Sequence, residues 1–423
     1  MRLVLGGGAL AVGVVSVGFA WAANQAQALF QHLLVHPLLA LAVTPLGFMV
    51  CAWAGRVLFP GAQGSGIPQA IAARRLRDNP ARERLLSLRL TAGKILLTFI
   101  GLLCGASIGR EGPTVQVGAS LMLAAGRLGG MGRERGLILA GSAAGVAAAF
   151  NTPLAGVVFA IEEMSRAFET RTSGMVLIAV ILAGMASLGL VGNYSYFGHS
   201  TSMLLVTIDW IAVLVCGLAG GVAGGCFAVI VVNGSILLKD WLASEGKIAP
   251  LWRAVALAGL CGLIVALCGL ASAGATYGTG YAAARSAIEG QGMAPSFALL
   301  KFVANVASTL SGIPGGLFAP SLAVGAGIGH EVAGLLGVHA VGAIVLLGMA
   351  GYFSGVVQAP ITSFVIIGEM SGATGMVIPL MLASFIGYGV SRLFQRPSLY
   401  HALARNFLET TRDANRSPPV LRQ

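Results

Sequence analysis

Charged residues are scarce in this 423-residue chain, at only 10% of the total. Hydrophobic residues make up 56%, and there are 61 glycines. This composition excludes an ordinary soluble globular protein and indicates a polytopic membrane protein. At about 20 residues per span the chain could cross a bilayer more than about ten times. The glycine excess predicts close helix packing and interrupted helices.

Acidic residues are fewer than basic ones, 15 against 26, which gives a formal net charge of +11. The arginines fall in short segments beside apolar runs, so this charge indicates membrane topology and not nucleic-acid binding. The basic stretch 70–94 is therefore predicted to be cytoplasmic. The chain has six cysteines and no CxxC pair. We expect them to be reduced packing residues, neither disulfides nor metal ligands.

The N-terminus imitates a signal peptide, with an apolar run and an A-x-A triplet at residues 20–22. The apolar run continues to Ala23, which is long enough to span a bilayer. We therefore expect an uncleaved first helix over residues 3–23 and a second span over 34–59.

The sequence GREGP at residues 109–113 places two charges in an apolar region. Ionisable residues at membrane depth are costly and are usually functional, so Glu111 is a candidate site residue. Pro113 suits a first helical turn, and the glycines before it predict exposed backbone N–H groups at the positive end of a helix. The alternative is a structural ion pair between Arg110 and Glu111.

Two further stretches carry candidate site residues. GSGIP at 64–68 is a second Gly/Pro break, where the Ser65 hydroxyl either contributes to an anion site or only caps the following helix. Glu162 and Glu163 close a hydrophobic helix; neighbours on a helix point about 100° apart, so one can face the bundle while the other meets water. The alternative is a solvated helix end.

Several glycine, proline, lysine and glutamate residues of the first half of the chain recur in the second half at a constant offset of 207 positions. The pairs are Lys94 and Lys301, Gly105 and Gly312, Pro113 and Pro320, Gly118 and Gly325, Gly141 and Gly348, Pro153 and Pro360, and Glu162 and Glu369. Gly64-Ser65-Gly66 has a weaker echo at 278–280, shifted by 214 positions. The chain is therefore predicted to contain two structural repeats, residues 1–204 and 205–402, followed by a short basic cytoplasmic tail at 403–423.

The basic stretch that precedes Lys94 has no counterpart before Lys301. Because opposite charge bias implies opposite orientation in the membrane, the repeats are predicted to be inverted. Corresponding interruptions in two halves indicate a transporter's central site. Here they are GREGP at 109–113 and the stretch 316–320. Two broken helices should point their positive ends at one place from opposite sides.

The motifs GSGIP at 64–68, GREGP at 109–113, GGLFAP at 315–320 and PxxY at 397–400 resemble those of the CLC chloride channels and chloride/proton antiporters. The resemblance covers nearly the whole chain. It implies an all-α polytopic membrane protein with two inverted-topology repeats of tilted and broken helices. It also implies a homodimer in which each subunit carries its own anion pathway, in the inner (plasma) membrane of a bacterium. No nucleic-acid partner is expected.

The resemblance implies a dehydrated chloride held by neutral donors, which bind an anion firmly enough to desolvate it and loosely enough to release it. The implied donors are the hydroxyls of Ser65 and Tyr400 and the backbone N–H groups of Leu317 and Phe318. The implied site also includes Gly64, Gly109, Arg110 and Gly112. No cofactor or metal is implied; chloride and protons are the substrates.

By the same resemblance, Glu111 is the gating glutamate, which competes with chloride for the N–H groups at 109–112. Glu163 is the implied proton relay toward the cytoplasm, a residue that pure channels of the family often lack. The expected function is therefore chloride/proton antiport, with a passive voltage- or proton-gated chloride channel as the alternative. We expect neither the family's cytosolic N-terminal helix, beyond a remnant at Met1 and Arg2, nor its C-terminal pair of nucleotide-binding domains, so regulation by nucleotide is not expected.

An enzyme is the more distant alternative, an intramembrane hydrolase with Ser65 as nucleophile. Such a serine needs a positioned base. The local sequence QGSG does not match the GxSG pattern of serine proteases, and none of the six histidines lies in an obvious intramembrane motif. The sequence therefore predicts a transport protein and not an enzyme.

Overall fold

A computed structural model describes residues 2–76, 79–131, 135–166, 170–192, 196–197, 203–204, 209–244, 249–338 and 340–416. Within these ranges the chain is helical, and its extended contacts are two isolated bridges. The helices of the first half are α1 (Arg2–Leu33), α2 (Ala40–Val57), α3 (Ile67–Arg75), α4 (Asn79–Leu85), α5 (Leu88–Leu103), α6 (Glu111–Leu128), α7 (Arg135–Phe150), α8 (Pro153–Phe159) and α9 (Thr170–Val191). Those of the second half are α10 (Asp209–Ala243), α11 (Pro250–Ala271), α12 (Tyr281–Ile288), α13 (Phe297–Leu310), α14 (Phe318–Leu336), α15 (Val341–Val357), α16 (Pro360–Ser371), α17 (Val377–Phe394) and α18 (Leu399–Arg416).

Seven helical segments in the described part of the chain are long and apolar enough to cross a membrane. Four further apolar helices are shorter: α7, α13, α15 and α16. The estimate of more than ten crossings treated every apolar run as a full span. Glycine and proline breaks instead divide several runs into helices that begin or end inside the protein, which is possible at membrane depth only where protein buries the loose ends.

Helix α1 continues to Leu33, well past the predicted end at residue 23. The apolar run stops near Ala23, but the polar residues that follow find partners inside the protein. The Asn24 side chain accepts a hydrogen bond from Arg110, and Gln27 accepts hydrogen bonds from Thr279. Hydropathy alone could not show these contacts.

Glycines allow equivalent helix pairs in the two halves to approach closely. In the first half, a Cβ atom on Gly118 of α6 would collide with the carbonyl oxygen of Gly141 on α7. In the second half, a Cβ on Gly325 of α14 would lie 2.8 Å from the carbonyl oxygen of Gly348 on α15. These four glycines were among the repeated positions, so the repeat preserves a packing contact.

Equivalent residues of the two halves also meet each other directly. The Gly109 N–H donates to the Gly316 oxygen at 2.8 Å, and the Gly316 N–H donates back to the Gly109 oxygen at 2.7 Å. This antiparallel bridge relates the two GREGP-like breaks by a local twofold axis. The predicted fold of two inverted repeats is confirmed; the boundaries at residues 204 and 402 stay predictions.

The repeated glutamates form a second reciprocal contact. Glu162 accepts hydrogen bonds from the N–H groups of Ile361 and Thr362 at 3.1 and 2.6 Å, at the start of α16. Glu369 accepts from the N–H groups of Leu154 and Ala155 at 3.1 and 2.7 Å, at the start of α8. Each carboxylate thus caps a helix of the other repeat, where the N-terminal N–H groups need acceptors.

Candidate functional site

Three glycine-rich breaks meet at one place in the middle of the molecule. The Gly109–Gly316 bridge joins the loops before α6 and α14. The loop before α3 joins them through the Gly64–Pro314 bridge, in which the Gly315 N–H donates to the Gly64 oxygen at 3.3 Å. The starts of α3, α6 and α14 are therefore held together by backbone contacts.

The backbones at this junction are so close that side chains do not fit between them. A Cβ on Gly112 would collide with the Ser65 hydroxyl and lie 3.2 Å from the Gly316 Cα. The first-turn N–H groups of α6 and α14 consequently face a narrow space beside Ser65. Helix N-termini carry unpaired N–H groups and a partial positive charge, so this space suits an anion.

Two buried hydroxyl groups border the same space. Ser65 and Tyr400 are 6% and 0% exposed, and neither hydroxyl has a hydrogen-bond partner of good geometry in the described part of the chain. The two hydroxyls are nevertheless close enough to interact electrostatically. Ser65 does not cap α3, because Gly66 is the cap residue and its N–H donates to Gln69. The Ser65 hydroxyl is thus left to contribute to the anion site.

Tyr400 reaches this space from the first turn of α18 and packs against Phe318. Their ring centroids are 6.0 Å apart, and Phe318 also contacts Phe353 with centroids at 4.8 Å. Aromatic contacts of this kind fix ring positions. The site therefore has a rigid apolar wall behind its hydroxyl and N–H donors.

The Glu111 carboxyl is fully buried at the start of α6. It lies near the backbone N–H of Ala319, in the first turn of α14, as well as near those of its own helix. Neither carboxyl oxygen has a hydrogen-bond partner of good geometry among the described residues. The Glu111 side chain thus sits where the N-termini of both broken helices converge.

Arg110 does not form the structural ion pair with Glu111 that the sequence left open. Its guanidinium instead donates to the Ala20 oxygen at 2.5 Å and to the Asn24 side chain at 2.7 Å, both on α1. It also lies 5.8 Å from the centroid of the Tyr196 ring. The Arg110 side chain is therefore held by α1, although its charge still interacts electrostatically with Glu111.

A fully buried lysine, Lys94 on α5, holds the loop that carries Ser65 through hydrogen bonds. Its ammonium group donates to the oxygens of Gln63 and Gly64 at 3.3 and 2.8 Å. It has no acidic partner among the residues that the structure describes. Sequence reasoning noted Lys94 only as a repeated position, although a buried cation beside an anion site is a functional signal.

The structure separates the roles of the two adjacent glutamates. Glu162 is the helix cap described above, while Glu163 is buried in the π-helix Ala160–Ser165. The Glu163 carboxyl lies close enough to the Tyr400 hydroxyl for their charges to influence each other, and the same holds for Glu111. Tyr400 is thus a neighbour of both buried carboxyl groups.

His401 is a site neighbour that sequence reasoning did not find. Its Nε2 lies 2.9 Å from the Glu163 backbone oxygen and 3.7 Å from the Glu163 carboxyl, while its Nδ1 lies 2.5 Å from the Arg75 guanidinium. An arginine can only donate, so Nδ1 accepts and the ring proton is on Nε2. Burial and the charge of Arg166 lower the pKa of His401 to about 4.

A cavity of about 550 Å³ leads from the Ser65 loop toward α10 and α18. Ser65 and Leu317 line its inner end, and Lys239 and Asn406 line it farther out. It lies on the same side as Arg75 and α4, the side that the basic stretch predicts to be cytoplasmic. The cavity therefore connects the central site to that side.

A sequence model of one protein family, described as voltage gated chloride channel, matches residues 46–392. The chain belongs to the CLC family. The members of this family are chloride channels and transporters, and the chain is an integral membrane protein.

Solved CLC structures share the fold of this CLC protein. A CLC-type fluoride/proton antiporter is 25% identical, with a TM-score of 0.78 over 94% of this chain and 97% of that one. A slow cyanobacterial Cl⁻/H⁺ antiporter is 23% identical, with a TM-score of 0.80 over 98% of both chains. A eukaryotic CLC transporter is 21% identical, with a TM-score of 0.76 over 96% of this chain and 74% of that one.

The fold of the CLC protein brings the sequence-predicted anion-site residues together. Gly64, Ser65, Gly109, Arg110, Glu111, Gly112, Leu317, Phe318 and Tyr400 surround the junction of the three breaks. Glu163 belongs to the neighbouring helix segment, near Tyr400.

Proposed function

We propose that this CLC protein exchanges chloride for protons across the membrane. The observation that supports this best is the position of Glu111. Its carboxyl group is buried without a hydrogen-bond partner of good geometry, at the N-termini of both α6 and α14 and in the same space as the Ser65 and Tyr400 hydroxyls. An anionic side chain there competes with a free anion for the same donors.

In the proposed mechanism, chloride lies between two hydroxyl groups and the N-terminal N–H groups of α14. The donors are the hydroxyls of Ser65 and Tyr400 and the N–H groups of Leu317 and Phe318. All of these donors are neutral, so they can replace the hydration shell of chloride and still release the ion. A charged side chain in direct contact with chloride would hold it too tightly.

Proton coupling follows from competition between chloride and the Glu111 carboxylate. An ionised Glu111 occupies the N–H groups of α6 and α14 and excludes chloride. When the carboxyl oxygen takes up a proton, the side chain loses its charge and its attraction to the helix ends, and chloride can replace it. Each exchange of Glu111 for chloride therefore carries a proton.

Glu163 provides the second carboxyl group of the proposed proton route. It is buried on the predicted cytoplasmic side of Tyr400, next to His401. His401 in turn contacts Arg75, and the Arg75 side chain is exposed to solvent. Buried ionisable groups in membrane proteins commonly belong to proton relays. We assign Glu163 to pass protons between the cytoplasmic side and Glu111.

The substrate anion is proposed to be chloride. The similar solved structures include a fluoride/proton antiporter as well as a Cl⁻/H⁺ antiporter, and their identities to this chain differ little. The sequence motifs favour chloride, because the fluoride-exporting branch departs from them more broadly. A passive chloride channel would use the same anion site and differ only in the absence of proton movement.

The experiment is proton transport by purified protein in liposomes. A chloride gradient is imposed without a proton gradient, voltage is clamped with an ionophore, and external pH is recorded. Chloride movement should drive protons uphill in the wild type. Glu111→Gln and Glu163→Gln should each abolish proton movement while chloride flux persists. Glu289→Gln, which changes an exposed glutamate paired with Arg285, serves as the matched control.

Three outcomes would contradict parts of the proposal. Chloride flux without proton movement in the wild type would identify a channel. Coupled exchange that persists in either site variant would remove that glutamate from the mechanism. Proton movement driven by a fluoride gradient and not by chloride would reassign the substrate.

The homodimer and the bacterial plasma membrane are also proposals that rest on the family resemblance. Light scattering of the detergent-solubilised protein should give twice the mass of one chain after correction for bound detergent. A monomeric mass would contradict the dimer.

A further inference from the structure

The loop before α12 repeats the construction of the Ser65 loop. Lys301 is fully buried, and its ammonium group donates to the oxygens of Thr276 and Gly278 at 2.8 and 2.7 Å. Lys94 holds the Ser65 loop in the same manner, and Thr279 takes the place of Ser65. The inverted repeat thus builds a second hydroxyl-bearing glycine loop over a buried cation.

This second loop faces a different cavity, of about 700 Å³. Thr279, Gln27 and Arg110 are among its lining residues. The start of α1 lies on the inner side, because Val4 would contact a Cβ on Gly129 just after α6, and the end of α6 reaches α4 through the ion pair of Arg127 with Glu83. Gln27 is near the other end of α1. The cavity therefore opens on the side opposite α4 and the basic stretch, which is the outer side.

The donors of Thr279 are directed at the side-chain oxygen of Gln27. The Thr279 N–H and hydroxyl both lie close to this oxygen, at 3.2 and 3.1 Å. A hydroxyl and an adjacent N–H that converge on one oxygen would equally suit an anion. The Gln27 amide is neutral and is carried on a flexible side chain, so an anion can displace it at lower cost than a carboxylate.

Arg110 supplies positive charge to the same cavity. Its side chain is only 4% exposed, and no acidic side chain in the described ranges pairs with it. Its Nη1 donates hydrogen bonds to α1, but its Nε has no hydrogen-bond partner among the described residues. The guanidinium forms no close ion pair with Glu111, although the two charges interact electrostatically, and a buried guanidinium lowers the energy of a second anion nearby.

We propose that Thr279 and Arg110 form an outer binding site for a small monovalent anion, which the Gln27 side chain closes. The site is distinct from the one at Ser65 and Tyr400. Because chloride is the proposed substrate, the site would receive chloride on the outer approach to Glu111 only when the Gln27 side chain moves away, and this inference rests on the proposed function.

Anomalous diffraction from crystals grown in bromide tests the site directly. The Gln27→Ala protein should show a bromide peak within contact distance of the Thr279 hydroxyl, in addition to a peak at Ser65 and Tyr400. Adding Thr279→Val to this variant should remove the outer peak alone, whereas adding Thr279→Ser, which keeps the hydroxyl, should retain it. Gln31→Ala changes a glutamine of the same helix and cavity and should show no outer peak.

Calorimetric titration with bromide gives a second measurement in solution. The Gln27→Ala protein should bind one more ion per chain than the wild type, and the Gln27→Ala/Thr279→Val double variant should lose that ion. Gln27→Glu places a carboxylate on the same donors and should also bind no outer ion.

The outcomes separate this proposal from the proposed function. A peak at Ser65 and Tyr400 without one at Thr279 in the Gln27→Ala protein would overturn the outer site and leave the central site intact. An outer peak that survives Thr279→Val would overturn the role of the hydroxyl. No bromide peak at either place would contradict both proposals.

Discussion

Replacing Lys94 by methionine tests whether a buried positive charge attracts the transported anion. Lys94 is fully buried, donates to the Gln63 and Gly64 oxygens, and has no acidic partner among the described residues. Methionine has a similar length but no charge. The Lys94→Met protein should therefore bind chloride more weakly at the Ser65 site.

The size of the loss follows from distance. Ser65 is the next residue after Gly64, which the ammonium group contacts at 2.8 Å. An anion at the Ser65 hydroxyl would thus lie about 7 Å from the charge. At an effective dielectric constant of about 20, two unit charges at that separation interact by about 2.4 kcal/mol. Removing the charge should raise the chloride Kd about 50-fold.

Lys301→Met is the matched control. Lys301 is equally buried and also donates two hydrogen bonds to a glycine-rich loop, but that loop faces the outer cavity. Both variants should lose a similar amount of thermal stability, and only Lys94→Met should lose affinity at the central site. Calorimetric chloride titration and thermal unfolding in detergent measure the two quantities. Equal affinity losses in both variants, or a change below about threefold in Lys94→Met, would refute the electrostatic explanation.

Two further predictions concern stability. Glu162→Ala and Glu369→Ala should each lower the free energy of unfolding by about 1–3 kcal/mol, because each removes a charged acceptor from a helix N-terminus; unchanged unfolding temperatures in detergent would contradict the reciprocal caps. The pKa of His401 is lowered from its ordinary value of 6.5 to about 4, so its neutral form stabilises the fold above pH 6.5, and that contribution is lost as pH falls toward 4. Between pH 7.5 and 4.5 the wild type should lose up to about 3 kcal/mol more than His401→Gln, and equal losses would contradict burial of a neutral imidazole.

The sequence predicted the repeat and the central site because their signals are local or periodic. Glycine and proline interrupt helices wherever they occur, so the breaks at GSGIP and GREGP could be located without a structure. The 207-residue register then paired GREGP with the stretch 316–320. Gly109 and Gly316 are 207 positions apart, and the structure shows that they bond to each other through their backbones.

Contacts between residues distant in sequence could not be predicted in the same way. Nothing near Gln27 indicates that it meets Thr279, and nothing near His401 indicates that it meets Glu163 across 238 positions. Helical periodicity predicted that Glu162 and Glu163 point in different directions. It could not say which one is buried, because that depends on the position of α16 in the other repeat.

The reciprocal capping by Glu162 and Glu369 has a consequence for biosynthesis. When the first half of the chain has entered the membrane, the N–H groups that open α8 still lack their acceptor, since Glu369 has not been synthesised. Glu162 likewise lacks the start of α16. In a bilayer such unpaired groups are costly. The first repeat therefore completes its own helices only after most of the second has been inserted. A ribosome-bound half-chain should remain sensitive to protease around residues 153–165 until Glu369 has left the ribosome and inserted.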